Sequence, residues 1–157
     1  MPRSPHRWDG YRTVVFELTP EAALPQGPLG IVTAWNPGVG EAGGRVLPLA
    51  ENEARDAGLR RRLEAAELGH MRIVGRSPFG DHSEASWLVA APPPVILELG
   101  RDFGQDAVYL VDAEADALVL APCDGGPREG LGSFRARIHP ALAPRALRPP
   151  RAGGGQD

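Results

Sequence analysis

Tyr11 to Leu18 alternates Arg12, Val14, Phe16 and Leu18 on one face with Thr13, Val15 and Glu17 on the other, a period of two that predicts a β-strand. Thr19 to Pro28 carries three prolines and a glycine and reads as a loop. Leu29 to Trp35 then forms a second apolar segment, expected to pair antiparallel with the first. A glycine-rich loop, Asn36 to Gly44, leads to Pro48, well placed to open a helix that runs to about Leu68 and stops at Gly69. Gly58 inside it costs roughly 1 kcal/mol relative to alanine, so burial must hold this helix. On a 3.6-residue period Asn52, Arg55, Leu59, Leu63 and Ala66 share one stripe. The stripe turns polar at the first turn, which directs the helix start at something polar.

Met71 to Val74 and Ser83 to Ala91 predict two further strands. In the latter, Ser83, Ala85, Trp87 and Val89 alternate with Glu84, Ser86, Leu88 and Ala90. Pro92 to Pro94 can begin a helix but not sit inside one; Ile96, Leu99 and Phe103 give it an apolar stripe and Gly104 ends it. Val108 to Val111 and Leu118 to Ala121 flank the acidic turn Asp112 to Asp116 and read as a closing hairpin. The order ββαββαββ predicts a single α+β domain over 11–121, a largely antiparallel sheet covered on one side by two helices. Residues 1–10 read as an N-terminal arm. Residues 122–157 form a Gly/Pro/Arg-rich tail, expected to be partly or wholly disordered, with Ser133 to Ile138 as a potential edge strand.

The length of 157 residues suits one domain with its own core. A net charge of −3 gives no whole-surface attraction to nucleic acid or acidic membranes. All 17 basic residues are arginine, which excludes a P-loop lysine, a Schiff base and any catalytic lysine. The single Cys123 lies in a Pro-Cys-Asp-Gly-Gly turn without a second cysteine or nearby histidine, so no metal and no cofactor are expected. The first residues lack the apolar core of a signal peptide, and no apolar run reaches membrane-spanning length. A cytoplasmic protein is the expectation.

Four motifs stand out in order: Thr33-Ala34-Trp35-Asn36-Pro37, then Glu51-Asn52 with Arg55, then Gly75 with Glu84-Ala85-Ser86, then Phe103-Gly104-Gln105-Asp106-Ala107. On these the chain, over about residues 11 to 121, resembles the bacterial family catalogued as domain of unknown function 3293. The resemblance implies shared positions and carries no reaction with it. The chain has Asp81-His82-Ser83 where such sequences often place a tryptophan or another large residue before Glu-x-Ser.

The candidate ligand-binding set is Thr33, Trp35, Asn36, Glu51, Asn52, Arg55, Glu84, Ser86 and Gln105. A helix N-terminus presents unpaired N–H groups to a polar or anionic ligand, Arg55 offers a bidentate fork, and Trp35 can stack on a flat ring. The same residues can instead close a core: Asn52 can satisfy loop carbonyls, and Glu84 can pair with Arg55. Ser86 lacks a Gly-x-Ser-x-Gly elbow, and Asp81-His82 beside Glu84 is a conceivable metal corner without a recognised ligand spacing. Two function classes follow. One is a small domain that binds a small polar or anionic, conceivably nucleotide-like, molecule, with catalysis undecided. The other is a protein-interaction or regulatory module without such a site, and a nucleic-acid adaptor acting through the arginine-rich tail is a weaker third.

Overall fold

The computed structural model describes residues 8–18, 23–39, 43–79 and 82–139. Seven strands form one antiparallel sheet in the order β1-β3-β4-β2-β5-β6-β7. They are β1 (Val15–Glu17), β2 (Pro28–Thr33), β3 (His70–Arg76), β4 (Ser83–Ala90), β5 (Ala107–Asp112), β6 (Ala117–Pro122) and β7 (Glu129–Ser133). A short turn of helix, α1 (Asp9–Arg12), precedes them; α2 (Leu49–Ala65) lies between β2 and β3, and α3 (Pro93–Asp102) between β4 and β5.

Period-two alternation sorts each strand onto two faces. Val32, Trp87, Val89, Val108, Leu110 and Ala121 face the helices, where Leu59 and Leu63 of α2 and Ile96 and Leu99 of α3 complete one core. Both helices therefore cover the same side of the sheet. α3 reaches it because Gly30 and Gly100 have no side chain. A Cβ on Gly30 would stand 2.5 Å from Ile96 Cγ1, and one on Gly100 2.5 Å from Val108 Cγ1. On the opposite face Phe16, Leu29, Ile31, Ile73, Leu88, Tyr109, Leu118, Leu120 and Phe134 make a second core. Neither α2 nor α3 covers it; the sheet curls around it, and Trp8 and Tyr11 of the α1 segment pack against it.

The curl brings the first strand back to the end of the last. Phe16 bridges Ile138 in parallel, His139 N–H donates to Phe16 O at 2.7 Å, and Arg12 pairs with Glu129 at 2.9 Å. Arg137 stitches this seam, its Nη1 donating to Arg12 O and Val14 O and its Nη2 to Leu131 O. Closure of this kind removes the exposed edge that an open sheet leaves unpaired.

The α+β class and the single helical layer agree with the sequence, whereas three local expectations are corrected. β1 pairs with β3 rather than β2, in register Val15↔Arg76 to Glu17↔Val74, while β2 sits mid-sheet between β4 and β5. Tyr11 and Arg12 belong to α1 and not to a strand. Thr13 Oγ1 donates to Asp9 O, and the Tyr11 ring packs on Trp8 at 5.4 Å, which favours a turn there. The β5–β6 hairpin does not close the domain: β7 follows it, and Phe134 beyond β7 is fully buried. The folded domain thus extends past Ala121 to His139, and the tail from 140 onward, like arm residues 1–7, lies outside the described residues.

Candidate functional site

The Thr33–Pro37 segment leaves β2 and turns sharply at Asn36, whose φ of 42° is a left-handed conformation that asparagine tolerates better than most residues. That turn aims the Asn36 side chain in two directions. Oδ1 accepts from Leu47 N–H at 2.8 Å and from Asn52 Nδ2 at 3.0 Å, and Nδ2 donates to Glu84 Oε2 at 3.0 Å. Asn52, 2% exposed, returns the bond by accepting Asn36 N–H at 2.9 Å and also donates to Leu47 O. The pair of asparagines thereby fastens both ends of the glycine-rich loop to α2.

Arg55, one turn along, spends its fork on backbone: Nε donates to Ala34 O and Nη2 to Phe103 O, each at 2.6 Å. Gln105, 4% exposed, donates to Trp35 O and Phe103 O. Gly38 and Val39 N–H groups both donate to Gly104 O. Here two glycines are required by contact. A Cβ on Gly38 would clash with the Asp106 carboxylate, and Gly104 holds φ at +72°. All four sequence motifs therefore meet in one bonded cluster.

Only part of that cluster faces open space. A cavity of about 250 Å³ enters the curled sheet beside it, lined by residues that include Tyr11, Val14, Phe16, Thr33, Gly75, Arg76, His82, Glu84, Ser86 and Tyr109. The inward sequence of β4, Glu84, Ser86, Leu88, explains its character: Leu88 is fully buried, Ser86 is 5% exposed, and Glu84 stands at the mouth. Beside Ser86 in register is Thr33, whose hydroxyl donates to Ala85 O and accepts Trp35 N–H. Ser86 Oγ donates to Glu84 O at 3.3 Å.

Glu84 is the one acid among the described lining residues. Its Oε2 takes Asn36 Nδ2 and stands 3.2 Å from His82 Nε2, while Oε1 has no protein partner among the described residues. The cation in the lining, Arg76, has its Nε 3.0 Å from Glu17 Oε2, close in distance though poorly aligned for a hydrogen bond, and its Nη1 donates to Ser77 O. Across the cavity Phe16 meets Tyr109 edge to face at 5.4 Å, and Tyr11 lies 6.1 Å from Tyr109. Tyr109 donates its hydroxyl proton to Tyr11 O at 2.8 Å. Burial first, then the neighbouring Tyr11, pushes the Tyr109 phenol well above its ordinary value, so it remains a neutral donor.

Of the residues singled out in the sequence, Thr33, Glu84 and Ser86 line the cavity, and Asn36 reaches its edge through Glu84. Asn52, Arg55 and Gln105 stand behind as clasps on loop backbone. Glu51 is exposed and Trp35 half-buried, and neither is in the lining. The start of α2 does not face the cavity, and Glu84 pairs with Asn36 and His82 instead of Arg55. Asp81 of the suggested metal corner lies outside the described residues; among the described residues no group of three His, Cys, Asp or Glu could hold a metal ion. Tyr11, Phe16, Arg76 and Tyr109 were not singled out, and Gly75 stood in a motif without being assigned to the site. The inward parity of Phe16 was readable from its strand, but nothing in the sequence says that β1 crosses to β3.

The fold and cavity define a curled antiparallel α+β domain with a mixed aromatic and acidic pocket at one end. Residues 32–108 match the model of the family described as protein of unknown function, DUF3293. That stretch supplies Thr33, Gly75, Glu84 and Ser86, and the walls Tyr11, Phe16 and Tyr109 come from outside it. No curated protein and no solved structure matches the chain. No described helix is long and apolar enough to cross a membrane.

Proposed function

We propose that this protein binds a small polar molecule in the cavity at the end of the curled sheet, with Glu84 reading the polar end of the ligand. The observation that carries the reading is the position of Glu84: it lines a cavity with aromatic walls, Asn36 orients its Oε2, and its Oε1 has no protein partner among the described residues. At about 250 Å³ the cavity is below the roughly 300–1,000 Å³ of pockets for drug-sized ligands, which favours a small metabolite over a nucleotide. The lining hydroxyls of Thr33 and Ser86 donate to the backbone carbonyls of Ala85 and Glu84 and not to His82 or the Glu84 carboxylate, and binding is the activity proposed.

A thermal-shift screen of small metabolites tests this, since a ligand at 100 times its dissociation constant stabilises by about 2.7 kcal/mol. Gly75 offers the matching control. A Cβ there has only ordinary contacts, the nearest 3.5 Å from Val14 Cγ2, so Gly75→Leu fills the cavity from its wall. Hits are expected to stabilise the native protein and not the Gly75→Leu variant. Equal stabilisation of both would place the ligand elsewhere and overturn the proposal.

A further inference from the structure

The charge and the walls of the cavity narrow the ligand class. Among the described residues Glu84 is the one carboxylate in the lining, and its Oε1 has no protein partner. The positive charge of Arg76 is already met by Glu17 at 3.0 Å, so this pair adds little net field. Asn36 and His82 both meet Glu84 at Oε2, so an anionic ligand approaching Oε1 would meet a carboxylate oxygen in a space partly shielded from water, where like charges repel more than in bulk. A cation is favoured by the same carboxylate.

Those walls are three rings: Tyr11, Phe16 and Tyr109, with centroid separations of 5.4 Å and 6.1 Å about Tyr109. Aromatic rings give the carbon body of a ligand apolar surface to pack on, and a carboxylate beside them gives its charged end a partner. The Tyr109 ring is fixed, because its hydroxyl is tied to Tyr11 O. The available hydroxyl lone pairs of Ser86 lie beside Glu84, where a second N–H can donate.

Resting on the binding function above, we infer that the ligand is a small organic cation, an alkyl- or arylalkyl-ammonium, with its charged nitrogen at Glu84 Oε1 and its carbon body against Tyr11, Phe16 and Tyr109. The position of Glu84 within the family stretch, and of the Tyr11 and Phe16 rings outside it, assigns the charge preference to the former and the fit of the carbon body to the latter.

The experiment uses the full chain and three probes of one shape: benzylamine, benzyl alcohol and benzoate, titrated by NMR or calorimetry against native protein, Glu84→Gln and Gly75→Leu. Benzylamine is expected to bind at least tenfold more tightly than benzyl alcohol, and benzoate not to bind. Glu84→Gln keeps an oxygen for Asn36, so it is expected to fold like the native protein and to lose benzylamine affinity at least tenfold while leaving benzyl alcohol unchanged. Benzyl alcohol or benzoate binding as well as benzylamine, sensitive to Gly75→Leu, would overturn the cation assignment and leave the cavity a binding site. Absence of any probe from the cavity, with Glu84→Gln correctly folded, would overturn the cation assignment, and failure of the wider metabolite screen would then separately overturn the binding function.

Discussion

Replacing Arg137 with alanine tests whether the seam of the curled sheet depends on a side chain. The guanidinium makes three hydrogen bonds to carbonyls, at 2.8 Å to Arg12 O, 3.0 Å to Val14 O and 3.2 Å to Leu131 O. Bonds from a charged donor contribute about 1.5–3 kcal/mol each. The sum overstates the loss, because Arg137 is half-buried and water can reach part of the gap it leaves. The main-chain bond from His139 to Phe16 and the Phe16–Ile138 bridge also survive. A net cost of about 2–4 kcal/mol is expected. For a domain of this size it lowers Tm by roughly 6–12 °C. Urea unfolding measures it, with an unchanged m-value showing that the folded state is still the native one. Arg137→Lys, which keeps charge but loses the fork, should fall between. Arg135→Ala is the control: Arg135 is exposed and 3.7 Å from Asp116, so its loss should cost below about 1 kcal/mol. Arg137→Ala costing no more than Arg135→Ala would refute the claim that the seam depends on it.

Gly30→Ala should destabilise by about 1–3 kcal/mol, since its Cβ would lie 2.5 Å from two carbons of the fully buried Ile96. The double variant Gly30→Ala, Ile96→Ala should lose less than the sum of the single losses, and strict additivity in urea unfolding would show that the two do not compete for space. Tyr109 predicts an alkaline weakness. Its folded pKa is raised by burial, so its contribution is complete below the ordinary phenol value of about 10 and is lost as pH rises through the raised one. Tyr109→Phe should be less stable than native at neutral pH but flatter above about pH 10; parallel stability curves for the two proteins would contradict this.

Where local period set the structure, the sequence was readable. The alternation in β4 separates Glu84, Ser86 and Leu88 from Trp87 and Val89, and the stripe Asn52, Arg55, Leu59, Leu63 is the inner face of α2. The polar first turn was also visible, but periodicity cannot tell a ligand from a loop. Asn52 and Arg55 answer to the carbonyls of Ala34, Leu47 and Phe103, groups that every sequence possesses. Long-range placement was hidden for a different reason. β1 and β2 looked like neighbours because consecutive strands often pair, yet the interior needs Phe16 against Tyr109 and Phe134, which only a crossing to β3 provides. β7, Glu129-Gly130-Leu131-Gly132-Ser133, has little apolar content and passes for tail. The fully buried Phe134 after it was the available signal.

The seam has a consequence for how the chain is made. Arg137 and the Arg12 carbonyl it binds are 125 residues apart, so while the protein emerges from the ribosome the inner face has no lid until residue 137 is out. The strands of β2 to β6 can pair with one another well before that, leaving Leu29, Ile31, Leu88 and Leu120 on an open apolar surface. Contacts between such distant positions also form slowly, because the whole intervening loop must close first. The interval between pairing and sealing is when this protein is most exposed to aggregation, and shortening the chain before Phe134 should extend it indefinitely.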